Sequence, residues 1–148
     1  MVPHYALGMD EQWTVDYFEG TFERSFSSLG PYEQAVLGAA VAHVLAPGGI
    51  DVCRNEWDKN LGKGLYEFRI RRSLRTILRE HGPAGAVDSI ELPDADRKVL
   101  LRAFCTFHGS RVVLLLSVYD KGKDPSEKRQ AREIKAARRA LRRWREEG

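Results

Sequence analysis

The chain has 148 residues, 43% of them hydrophobic, with 24 Lys and Arg against 21 Asp and Glu for a formal net charge of +3, which is the size and composition of one self-supporting domain. Cys53 and Cys105 lie far apart with no Cys-x-x-Cys spacing and no histidine cluster, so neither a disulfide framework nor a metal site is signalled, and no cofactor is expected. Residues 1–10 lack the basic and long apolar parts of a signal peptide, and the longest apolar run, Val112 to Leu116, is too short to span a bilayer; a soluble, cytoplasmic protein is expected.

Charge is spread unevenly: residues 1–60 sum to −6, residues 61–120 to +3 and residues 121–148 to +6. An acidic first third and a basic last fifth imply two electrostatic faces, the basic one suited to a phosphate backbone.

Residues 1–12 read as an N-terminal extension and residues 13–148 as the domain. Trp13-Thr-Val-Asp-Tyr-Phe18 has the β-branched and aromatic bias of a strand. Phe22, Phe26 and Leu29 then recur at helical spacing up to Gly30-Pro31, and Pro31 opens a second helix with Ala35, Val36, Ala39, Ala40, His43 and Val44 on its apolar side, closed by Pro47-Gly48-Gly49. The two are expected to form a helical hairpin. Residues 48–63, rich in Gly and Asn, read as loop. Leu65 to Arg72 alternates, with Tyr66, Phe68 and Ile70 on a packed face and Glu67, Arg69 and Arg71 on a free one.

An insertion is expected at about 73–98, beginning with a short helix from Ser73 to His81. Two strands follow, Val99–Phe107 and Arg111–Tyr119, joined by the turn His108-Gly109-Ser110. The last helix has Asp124 as a cap, Pro125 at its first position and Glu127 completing a capping box. Ala131, Ile134, Ala137, Leu141 and Trp144 form its docking stripe, and Lys128, Arg132, Lys135, Arg139, Arg142 and Arg143 its solvated face.

Cations gather at one end of this meander. Alternation places Arg69 and Arg71 outward on one strand and Arg102 outward on the next, with Lys121 and Lys123 after the third. Such a group suits a polyanion, and in attack of an RNA 2′-OH it would stabilise the charge developing on the scissile phosphate. The competing reading is that Arg69 and Arg102 form ordinary surface ion pairs with Glu67 and acids of the insertion. Arg139, Arg142 and Arg143 extend the basic surface for RNA, while His108 reads as a turn residue.

Leu65-Tyr-Glu-Phe-Arg-Ile, Leu100-Leu-Arg-Ala-Phe, His108-Gly-Ser-Arg-Val-Val-Leu-Leu, Tyr119-Asp-Lys-Gly and Arg132-Glu-Ile-Lys-Ala-Ala follow in the order seen in toxins of the RelE/ParE superfamily. From about Trp13 to Trp144 the chain resembles most closely the HigB-like, phage-derived branch. The resemblance implies an α+β fold: an N-terminal strand and two-helix hairpin packed on a twisted antiparallel sheet, with a C-terminal helix. It also implies a type II toxin that cleaves mRNA as a metal-independent endoribonuclease, usually on the ribosome, with a cognate antitoxin that often carries a helix-turn-helix domain. Arg69 then stands for a family basic residue, Arg102 for the phosphate-binding arginine, and Lys121 or Lys123 for the cation near the last strand's end. RelE uses a tyrosine in its C-terminal segment, whereas this chain has none after Tyr119, so Tyr119 and Asp120 are the candidates for proton transfer. The rival functions are a ParE-like gyrase inhibitor and a non-catalytic binding module of the same fold.

Overall fold

The computed structural model describes residues 12–89 and 95–147; the expected extension, save its last residue, and part of the expected insertion lie outside them. A five-stranded sheet in the order β1-β5-β4-β3-β2 carries the fold. β1 (Thr14–Tyr17) runs parallel to β5 (Val112–Asp120), with Thr14 opposite Val112. The other pairings are antiparallel: β5 with β4 (Leu101–His108), β4 with β3 (Leu65–Ile70) and β3 with β2 (Asp58–Gly62). The sheet is therefore mixed, a correction to the wholly antiparallel expectation. β1 and β5 are remote in sequence, and no hairpin forces them to oppose one another.

Helices cover both faces. On one lie α1 (Thr21–Ser27), α2 (Pro31–Ala40) and α3 (Leu74–His81). Val36, Leu37, Leu45 and Ile77 of this layer are at most 1% exposed and pack with Phe68, Ile70, Leu101, Val113 and Leu115. The other face is closed by α4 (Glu127–Glu147), whose Ala137, Ala140 and Leu141 meet Leu65, Phe104, Leu114 and Leu116. Because β5 is covered on both sides it is buried along nearly its whole length, which is why it reads as a continuous apolar run without alternation.

That second layer corrects the expected free face of β3: Leu65 and Glu67 are both fully buried. The loop expected over residues 48–63 is corrected too. It contains a 3-10 stretch (Gly49–Arg54) and all of β2. Lys63 (φ 57°) and Gly64 (φ 84°) form the two-residue turn between β2 and β3, and positive φ at both positions is what such a hairpin turn demands, so the Gly and Asn taken for loop are the signature of a hairpin. Arg138 donates to the carbonyls of Leu61 (2.6 Å) and Gly62 (3.2 Å), tying α4 to that hairpin.

α2 runs on through a π turn (Val41–Leu45) and a last turn (Ala46–Gly48). Pro31–Cys53 is long and apolar enough to cross a membrane by length and composition, yet Val36, Leu37, Ala40 and Leu45 are packed into the sheet as in a core helix. α1 and α2 are tied at their corner, where Gln34 Nε2 donates to the carbonyls of Phe26 (3.1 Å) and Leu29 (3.2 Å). Beyond it an open groove separates them, so the hairpin is splayed. α4 starts two residues later than its sequence suggests: Ser126 Oγ accepts from Arg129 N–H (3.1 Å), while Asp124 holds the turn before it by accepting from Ser126 N–H (3.2 Å). Ala131 is exposed, and Ala140 takes its place on the docking stripe.

Candidate active site

One irregularity in β5 assembles the site. Phe104 pairs with Ser117 and Cys105 with Leu115, which leaves Leu116 as an extra residue. Strict alternation from Val113 sends Tyr119 to the α1–α3 face; the bulge shifts it by one and turns it to the α4 side, where it packs with Phe104 at 6.1 Å between ring centroids. Ser25 Oγ of α1 accepts from Val118 N–H (3.1 Å) just past the bulge. Tyr119 then lies opposite Arg102, and Arg102 opposite Arg69, a single row across three strands.

Beneath the row is Glu67, fully buried. Its Oε1 accepts from Arg69 Nε at 2.9 Å and lies 3.7 Å from Arg102 Nε; its Oε2 accepts from Gln130 Nε2 of α4 at 3.3 Å. The expected surface ion pairs of Arg69 and Arg102 with Glu67 are formed, but in the interior. Arg102 corrects the outward placement: it is 5% exposed under α4, because the face it shares with Glu67 is a second core. Burial pulls its pKa down, and the Glu67 charge opposes that.

The outer layer consists of the cations that keep some solvent contact. Arg69 retains 22% side-chain exposure, Arg71 is exposed and Lys121 is half-buried. Partial burial and the neighbouring Arg102 lower the Lys121 pKa, with Glu67 acting the other way. These groups share the sheet end defined by the end of β3, the start of β4 and the end of β5.

Tyr119 is 3% exposed, and its hydroxyl has no hydrogen-bond partner among the described residues. Burial and then Glu67 raise its pKa, so it stays a phenol, a proton donor and not a base. Arg129 of α4 lies over its ring at 5.1 Å. Asp120 accepts from Gly122 N–H (2.9 Å) and shapes the turn after β5. Lys123 is exposed and lines an open cleft of about 360 Å³ together with Tyr119 and Asp120, and with Ser25 and Ser28 of the α1 side and Glu133 of α4. His108 ends β4 and packs on Trp144 at 4.6 Å, consistent with a structural place beside the turn.

Arg139, Arg142 and Arg143 are exposed as expected, and with Arg24 of α1 they border a groove of about 520 Å³. Arg143 also donates to Thr21 Oγ1 (3.1 Å). Arg139, Arg142 and Arg143 lie roughly 13–20 Å along α4 from Gln130 at the helical rise, so this groove is a separate surface from the cross-strand row. The pairing of Glu67 with the two arginines is legible in the sequence, but its burial and the part of Gln130 are not. A lone Glu between two apolar strand positions looks solvated until a helix is known to cover it.

No protein-family model, curated protein or solved structure matches this chain.

Proposed function

We propose that the protein is the toxin of a type II toxin–antitoxin pair: an mRNA interferase that cuts RNA on the ribosome as a metal-independent endoribonuclease and is held inactive by a cognate helix-turn-helix antitoxin. The observation that carries this reading is the convergence of Arg69, Arg71 and Lys121 at one sheet end, with Arg102 fixed behind them by buried Glu67. In this reading Arg69 and Lys121 contact the scissile phosphate and stabilise the charge that develops when the neighbouring 2′-OH attacks. Arg102, too deep to touch RNA in this arrangement, adds positive potential and shares Glu67 with Arg69. Tyr119, which lines the open cleft beside Lys123, is the donor available to protonate a leaving 5′-oxygen, the proton of the attacking 2′-OH passing to water. The basic groove of Arg139, Arg142 and Arg143 supplies non-specific attraction for the RNA strand.

Incubation with translating ribosomes and mapping of new mRNA 5′ ends tests the proposal, with a gyrase supercoiling assay run beside it. Cleavage is expected with the wild type, and Lys121→Ala should lower its rate on the order of 100-fold while leaving the fold intact, whereas Arg69→Ala also takes from buried Glu67 its closest partner and lowers stability as well as rate. Absence of cleavage together with loss of supercoiling would move the protein to gyrase inhibition. Burial of Arg102 and Tyr119 beneath α4 favours a second reading, a binding module without chemistry, for which neither assay responds. Tyr119→Phe separates donor from filler: losing an unpartnered hydroxyl should not lower the melting temperature, but should slow cleavage by roughly 100-fold or more if the hydroxyl donates the proton.

A further inference from the structure

We propose that the groove between α1 and α4 is a binding site for a polyphosphate group, as carried by a nucleoside triphosphate or by the 5′-triphosphate end of an RNA. Arg24 borders it from α1, and Arg139, Arg142 and Arg143 border it from α4. Its volume of about 520 Å³ is that of a small-molecule site, roughly 300–1,000 Å³. At i, i+3 and i+4 the three arginines of α4 share one helix face within about 6 Å along its axis, and Arg24 faces them from the other helix. Ala136, on the same face of α4, is small and leaves the space between them open. Arg143 is set in place twice, by its bond to Thr21 Oγ1 (3.1 Å) and by its position over the Phe18 ring at 5.4 Å.

Unanswered charge marks this groove. Several arginines elsewhere on the surface are met by a carboxylate: Arg72 by Glu56, Arg75 by Asp96, Arg97 by Glu33 and Arg129 by Glu133. Among the described residues, none of Arg24, Arg139, Arg142 and Arg143 is in an ion pair. Glu146 lines the groove and Glu19 stands at the corner before α1, yet neither comes within ion-pair distance of the four. Gathered guanidinium groups without counter-charge repel one another, and an anion of several charges relieves that repulsion. One terminal phosphate carries about −1.5 to −2 charges and three strong acceptor oxygens, which the planar guanidinium fork engages in pairs. A polyphosphate brings several such groups into the width of one groove. A strand of RNA spreads one charge per nucleotide along a track and an acidic peptide one per side chain, so both match an extended row of cations better than four gathered around one space. The site goes beyond the non-specific attraction proposed above for this groove, and it does not rest on RNA cleavage.

The test is titration of the full-length protein, by calorimetry and by NMR of its arginine side chains, with inorganic tripolyphosphate, orthophosphate, ATP and a short 2′-O-methyl oligonucleotide bearing either a 5′-triphosphate or a 5′-hydroxyl. The methylated strand has no free 2′-OH and stays uncut whether or not the protein is a nuclease. Tripolyphosphate is expected to bind roughly tenfold or more tighter than orthophosphate and to shift the signals of Arg24, Arg139, Arg142 and Arg143. A 5′-triphosphate oligonucleotide that outbinds ATP would support the site and assign it to RNA ends; ATP binding at least as tightly would support it and assign it to free nucleotides. Arg24→Gln, and separately Arg139→Gln with Arg142→Gln, remove exposed side chains without an ion-pair partner among the described residues. Each variant should keep its melting temperature and lose roughly tenfold or more in affinity for tripolyphosphate. Orthophosphate binding as tightly as tripolyphosphate, shifts that map to Arg69 and Lys121 instead, or undiminished binding by Arg24→Gln would each overturn the proposal. A 5′-hydroxyl oligonucleotide that matches both triphosphates at these four arginines would overturn it in favour of a track for an RNA strand, and an oligoglutamate peptide that does so would overturn it in favour of an acidic protein segment. No readout here depends on cleavage, so failure of this proposal leaves the nuclease reading standing, and failure of that reading leaves this one.

Discussion

Glu67→Ala should destabilise the protein by about 3–5 kcal/mol, measured as a lower urea midpoint at unchanged slope. Glu67 is fully buried and answers two guanidinium groups; of these, Arg69 has a path to solvent and Arg102, 5% exposed, has very little. Truncating the carboxylate leaves Arg102 charged in the interior with little but the Leu101 carbonyl at 3.3 Å to receive it. Gln130 loses its acceptor at the same time, which loosens the first turns of α4. The double variant Glu67→Leu with Arg102→Met should recover most of the loss, since an apolar pair of similar bulk requires no charge to be desolvated. A cost below about 1 kcal/mol for the single variant would mean that water reaches Arg102 and that the row is an open surface. The same pair reports on function, because a refolded double variant that still cleaves RNA would reduce Arg102 to a structural role.

The sequence makes the elements legible and hides their coverage. Helical spacing in Phe22, Phe26 and Leu29, Pro31 at a helix start and the apolar run of β5 are local signals, and each element forms where its signal lies. The α+β class follows from them. The orientation of Arg102 does not, because alternation tells which residues share a face and not whether that face is covered. Here α4 covers it, and the stripe of Ala137, Ala140 and Leu141 had to be matched to a particular sheet face to show this. Tyr119 was a candidate for proton transfer on its position alone. What brings it beside Arg102 is the bulge at Leu116, which no residue type in Leu114-Leu-Leu-Ser-Val118 announces. The parallel pairing of β1 was hidden for a similar reason: Trp13 to Phe18 carries a strand's composition, and composition has no direction.

Asp58 should make stability fall as pH rises from about 4 to about 7. It sits on β2, 8% exposed, and among the described residues neither carboxyl oxygen has a hydrogen-bond partner of good geometry. Burial pushes its pKa up to about 7 from the ordinary 3.8; the Lys59 backbone N–H, the Cys53 thiol and the more distant Arg69 only temper the rise, and the Glu67 charge adds to it. The neighbouring Cys53 thiol is driven up to about 12, by burial first and then by Asp58, so it stays protonated and cannot supply a compensating charge. A folded-state pKa above the unfolded value means that the folded protein holds its proton more tightly. The contribution is therefore complete below about pH 4, declines between pH 4 and 7, and is gone above. Its size is on the order of 4 kcal/mol at roughly 1.4 kcal/mol per pH unit. Asp58→Asn keeps the shape and removes the titration. Its urea midpoint should match the wild type near pH 4 and exceed it at pH 8, the difference between the two proteins isolating this group from the other acids. Parallel curves across that range would show that Asp58 ionises at its ordinary pKa, with the β2 edge open enough to hydrate it.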